Sequence, residues 1–100
     1  MKLEETGLTF EDIKEKVNKY MIETYERMDF LAESAKDQYI YNEKGEKYLD
    51  FYAGIAVNSA GSCNEKVVKA VVDQAQTLMH TFNYPYTIPQ ALLAEKVCTT

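Results

Sequence analysis

The sequence predicts an α+β chain: an N-terminal helix, a small antiparallel sheet with a hairpin, then two further helices. Three patterns carry that expectation. Phe10, Ile13, Val17, Tyr20, Met21 and Thr24 recur at helical spacing. Tyr39, Ile40 and Tyr41, then Tyr48, Leu49 and Phe51, gather aromatic and β-branched residues on either side of a turn. Helical spacing returns from Val67 onward.

Thr9 opens the first helix, because its hydroxyl is placed to accept from the free backbone N–H near Asp12 while Glu11 and Asp12 meet the positive helix end. Leu8 and Ile13 have the spacing of a hydrophobic staple. Asp12 with Lys16 and Glu15 with Lys19 form i,i+4 pairs, and the helix is expected to end near Tyr25. Residues 28–37 have weak periodicity and read as a connector. Between the two strand stretches, residues 42–46 carry turn chemistry, with Gly45 free to take positive φ. The mostly small residues 53–61, with two glycines, let backbone approach another backbone closely and read as extended, a short third strand.

Asn64 is a good N-cap for the next helix, in which Val67, Val68, Val71, Val72, Ala75, Leu78 and Met79 make one broad apolar face. His80 falls in its last turn, where partial negative charge favours imidazolium. The loop 81–86 is an aromatic cluster in which Pro85 forbids a regular helix. Thr87 and Gln90 have capping-box spacing, Pro89 lies in the first turn, and Ile88, Leu92, Leu93 and Val97 form the face of the last helix. No glycine, asparagine or proline follows Val97 to satisfy the last carbonyls. The chain is therefore expected to be cut in or just after a helix, with residues 1–100 a single partial domain.

The composition narrows the function. One hundred residues, 46% hydrophobic and 27% charged, describe one globular domain and exclude disordered and collagen-like chains. A net charge of −5 disfavours nucleic acid and anionic lipid as partners. No apolar run would span a bilayer and no secretion signal opens the chain, so the expected location is the cytoplasm, with no membrane partner. Cys63 and Cys98 are far apart, and His80 is the only histidine; no metal is expected.

No phosphate loop, nucleophile elbow or paired-carboxylate signature appears, and no catalytic residue is assigned. Cys63 could be a thiolate beside a helix N-terminus, but a small structural cysteine is the commoner case. The 8 tyrosines could stack on a planar ligand, yet at alternating strand positions they more often cover a sheet.

The run from Gly45 through Tyr48-Leu49-Asp50-Phe51 and Gly54-Ile55-Ala56-Val57 to Gly61 resembles the N-terminal region of class III aminotransferases, which depend on pyridoxal 5′-phosphate (PLP). The similarity extends upstream to Thr24-Tyr25-Glu26-Arg27. Downstream it takes in Val67-Val68-Lys69-Ala70, Gln74, Phe82-Asn83, Tyr86, Pro89 and Leu93-Ala94-Glu95-Lys96. The wording is nearest the acetylornithine, ornithine and 4-aminobutyrate group, which moves an amino group from an amine or ω-amino acid to a 2-oxo acid. Where that family often has G-H-x-x-P, this chain has Gly61-Ser62-Cys63-Asn64-Glu65. Glu65 at the first helical position suits the helix dipole about as well as proline suits the φ angle.

The resemblance implies the N-terminal minor-domain segment of a PLP-dependent transferase of fold type I, an α/β enzyme that is a homodimer when full length. It implies that Ile55 and Val57 line the substrate entrance and that Tyr86 stands near the active-site mouth, across the dimer interface. The reaction needs a lysine Schiff base, a carboxylate beside the pyridinium nitrogen and phosphate donors. The family places these beyond Thr100, and Lys2, Lys14, Lys44 and Lys66 lack the matching context, so no cofactor-binding residue is assigned and the chain alone is expected to be inactive. Two other readings stand beside this one: a stand-alone protein-interaction module, and a non-transaminase PLP enzyme of the same fold.

Overall fold

A computed structural model describes residues 1–100. The chain divides into two units, Met1–Val67 and Val68–Thr100. The first holds a short helix α1 (Leu3–Thr6), helix α2 (Phe10–Tyr20), strands β1 (Ser34–Lys36), β2 (Tyr39–Tyr41) and β3 (Lys47–Leu49), and a single turn α3 (Ala53–Ala56). Helix α4 (Glu65–Thr77) begins there and continues into the second unit, which ends with α5 (Ile88–Thr99).

The Thr9 cap forms as expected. Asp12 N–H donates to the Thr9 hydroxyl at 3.2 Å, and the Asp12 carboxylate accepts from the Thr9 backbone N–H at 2.7 Å. That reciprocal pair holds the Asp12 carboxyl below its ordinary range, chiefly through the Thr9 backbone bond. The helix stops at Tyr20, earlier than its apolar spacing suggests, with Met21 already extended. The residues that follow include β-branched Ile22 and Thr24, which lose χ1 freedom in a helix and carry no C-cap. Instead, residues 21–31 turn back along α2 and share with it a groove of about 830 Å³, lined by Phe10, Ile13, Val17, Met21, Phe30 and Leu31 among others.

The sheet is antiparallel in the order β1-β2-β3. Its third strand is β1, inside the stretch 28–37 that reads from sequence as a connector. Three residues are too few for a period-two signal, and the two-residue turn Asp37-Gln38 carries no glycine; Asp37 itself takes the positive φ, 52°. The β2–β3 turn follows expectation, with Gly45 at φ 77°. Asn42 is the one buried residue of the chain and organises that turn. Its Oδ1 accepts from Lys44 and Glu46 N–H at 3.0 and 2.9 Å, and its Nδ2 donates to Glu46 at 2.6 Å. Tyr48 packs edge-on against Phe30, with centroids 4.6 Å apart, and donates to Glu46. Partial desolvation, then the Glu46 charge, push its phenol up.

Asn64 caps α4 as the sequence predicts, its Oδ1 accepting from Lys66 and Val67 N–H at 3.1 and 3.3 Å. In the second unit α4 ends at Thr77, so His80 lies beyond the last turn rather than in it. Thr87 makes no side-chain cap bond, so the expected capping box is absent; the start of α5 is set by Pro89, whose φ fits the first turn and which has no N–H to satisfy. No helix is long and apolar enough to cross a membrane.

Candidate functional site

Residues 53–61 are not a strand. Ala53, Gly54, Ile55 and Ala56 have φ of 47°, 63°, 60° and 63°, so α3 is a helical turn of left-handed sense. Its hydrogen bonds are those of a full turn: Ala56 N–H donates to Tyr52 O, and Val57 and Asn58 N–H both donate to Ala53 O, all at 2.9 Å. Left-handed backbone costs a non-glycine residue about 1–2 kcal/mol, and a β-branched residue there is a genuine outlier. Strain of this kind persists only where its surroundings over-determine it, and it clusters at functional sites.

The surroundings here can be named. At the entrance, Asp50 N–H donates to Gln38 O at 2.8 Å, and the Asp50 carboxylate accepts from both Tyr52 and Ala53 N–H at 2.9 Å. At the exit, Asp37 and Ser62 exchange a pair of backbone hydrogen bonds, both 2.8 Å. Gly61 passes so close that a Cβ would meet Asp37 Cα at 3.2 Å, and its φ is 82°. The hairpin tip Asp37-Gln38 thus clasps both ends of the loop 50–62, in the manner of a loop whose ends meet. A depression of about 500 Å³ lies between, lined by Asp37, Asp50, Asn58 and Ser62 among others.

The two sequence-predicted entrance residues come together on this turn. Ile55 is 84% exposed and Val57 77% exposed, so both apolar side chains are presented outward rather than packed. Tyr86 belongs to the second unit, in the loop before α5, and is fully exposed; in that loop Phe82 and Tyr84 meet edge to face at 5.7 Å. The sequence reading missed Asp50 and the Asp37-Gln38 tip. A signal for Asp50 was present: an aspartate directly before a run of small residues is an Asx-turn former.

Neither depression of the first unit fits PLP itself. A Schiff-base lysine must give up its proton, yet Lys14, the lysine of the larger groove, is paired with Glu11 and with Asp29 at 3.0 Å, and those carboxylates hold it above its ordinary range. The depression at α3 is lined by the carboxylates of Asp37 and Asp50 and by no cation, which repels a phosphate.

Comparison with known proteins defines the class and then the family. The fold is that of PLP aminotransferases: acetylornithine aminotransferase from Elizabethkingia anophelis superposes with a TM-score of 0.86 at 22% identity, covering 92% of this chain and 24% of that one. Ornithine aminotransferase from Toxoplasma gondii, whose structure reveals partial occupancy of PLP at its active site, gives 0.74 at 26% identity over 80% of this chain and 19% of that one. Residues 20–100 match the family Aminotransferase class-III, and the chain belongs to that family. It is 48% identical over 79 residues to the acetylornithine aminotransferase of Methanocaldococcus jannaschii, a match that takes in 79% of this chain. The chain spans about a fifth of the length of that relative, 20%.

Proposed function

We propose that these residues are the N-terminal part of a PLP-dependent aminotransferase of acetylornithine type, which moves an amino group from an amine or ω-amino acid to a 2-oxo acid. The 48% identity to an acetylornithine aminotransferase carries this reading. Within it, α3 presents Ile55 and Val57 to the substrate entrance, and Tyr86 is assigned to the mouth on the family resemblance. The Schiff-base lysine, the carboxylate for the pyridinium nitrogen and the phosphate donors lie in the rest of the enzyme. The full-length protein is proposed to be a cytoplasmic homodimer, and residues 1–100 alone to be inactive.

The test is amino transfer by the full-length protein, with acetylornithine, ornithine and 4-aminobutyrate offered in turn against a panel of 2-oxo acids. Turnover is expected, fastest with acetylornithine; no transfer from any of the three would refute the assignment. Separately, PLP is titrated into the isolated 100-residue chain. A stoichiometric adduct at one lysine, trapped by borohydride, would show that this segment does hold the cofactor.

A further inference from the structure

We propose that Asp50 is a positioning residue for the substrate entrance: its carboxylate fixes the left-handed turn that carries Ile55 and Val57, and so sets the affinity for the amino donor without touching it. This rests on the reading of α3 as the entrance. Three observations support it. Asp50 Oδ1 takes both Tyr52 and Ala53 N–H at 2.9 Å, the two groups immediately before and at the reversal of backbone hand. Ala53, Ile55 and Ala56 all stand at positive φ without being glycine, so the turn needs an external restraint. Asp50 is itself tied to the hairpin tip by its N–H to Gln38 O at 2.8 Å, so the restraint is anchored to the turn that joins β1 and β2. Without the carboxylate, two N–H groups lose their acceptor and the chain is released to right-handed or extended backbone, which turns Ile55 to another direction.

The experiment uses the full-length holoenzyme and compares Asp50→Ala, Asp50→Asn, Ile55→Ala and the double variant Asp50→Ala/Ile55→Ala, reading KM for the amino donor, kcat and cofactor absorbance. Asp50→Ala is expected to raise KM about tenfold with kcat within about twofold and cofactor content unchanged. Asp50→Asn keeps an acceptor oxygen in the same place and is expected to stay within about threefold of the parent. In the double variant Asp50→Ala should raise KM by less than it does alone, because part of its effect passes through Ile55 and only the part through Val57 remains. If Ile55→Ala shifts KM and Asp50→Ala does not, the positioning role is overturned and the entrance reading survives. If neither shifts KM, the entrance reading itself has failed. Loss of kcat and bound cofactor in step with KM would mark a general structural defect and also overturn the role. Should Asp50→Ala fail to fold, Asp50→Ser, whose shorter oxygen cannot serve both N–H groups, carries the test, and an unchanged KM overturns the proposal.

Discussion

Ile55 and Gly61 stand at similar backbone angles for opposite reasons, and their substitutions separate strain from contact. Gly61 has both a positive φ and a neighbour within 3.2 Å of any Cβ, so Gly61→Ala is expected to destabilise the full-length enzyme by more than the ~1–2 kcal/mol of left-handed strain alone, read as a fall in Tm. Ile55 has positive φ but an exposed side chain. Ile55→Gly should therefore relieve about 1–2 kcal/mol and raise Tm while weakening donor binding, a reversal of sign that contact loss by itself would not give. Asn42 has a third character, buried with its side chain fully paired; Asn42→Ala leaves two N–H groups without acceptors and should cost about 1–3 kcal/mol, seen as lost amide protection at Lys44 and Glu46.

At the scale of elements, α2 depends on its reciprocal cap. The Asp12 carboxyl is held below its ordinary range, so its contribution is complete above that range and is lost as pH falls through the lowered folded value. Amide protection in the first turn of α2 should accordingly fall on acidification; Thr9→Ala, which removes the hydroxyl at a cost of about 1 kcal/mol but keeps the backbone N–H, should only weaken that dependence, and Asp12→Ala should abolish it. Lys14 runs the other way: raised by Glu11 and Asp29, its contribution is present throughout neutral pH and is lost only as pH rises through the lysine range. The elements that could be read from sequence were those with a repeated pattern or a cap: α2, the β2–β3 hairpin with Gly45, the Asn64 cap, and α5 up to Thr99. What escaped were short or inverted pieces. β1 has three residues and a glycine-free turn, and α3 has small residues whose spacing suits a strand but whose hand is set by Asp50 and the Asp37-Ser62 pair. Of the proposed entrance, the resemblance supplied Ile55, Val57 and Tyr86 as expectations, while the residues that hold the turn at Ile55 depend on contacts across the hairpin that no local window contains.

For the whole chain, the burial of apolar side chains is the deciding property. No hydrophobic residue is buried in either unit, where a domain with its own core would bury several. The apolar residues of α4, among them Val67, Val71 and Val72, stand exposed; those of α5 are spread around its circumference because Ala91, Ala94 and Cys98 fill in between, rather than gathered on the single face of Ile88, Leu92, Leu93 and Val97 that the spacing predicts, a pattern suited to burial on more than one side. Proposed as part of a longer enzyme, the segment should behave accordingly when made alone: dye binding to exposed apolar surface, non-cooperative melting and concentration-dependent association. A monomer with dispersed amide signals and a sharp melting transition would contradict that reading. The inverted turn has one more consequence. A backbone that winds against the natural preference of L-residues is a place where mirror-image building blocks are at home, so a chemically assembled segment with D-alanine at position 53 or 56 should hold the loop more firmly than the biosynthetic one does.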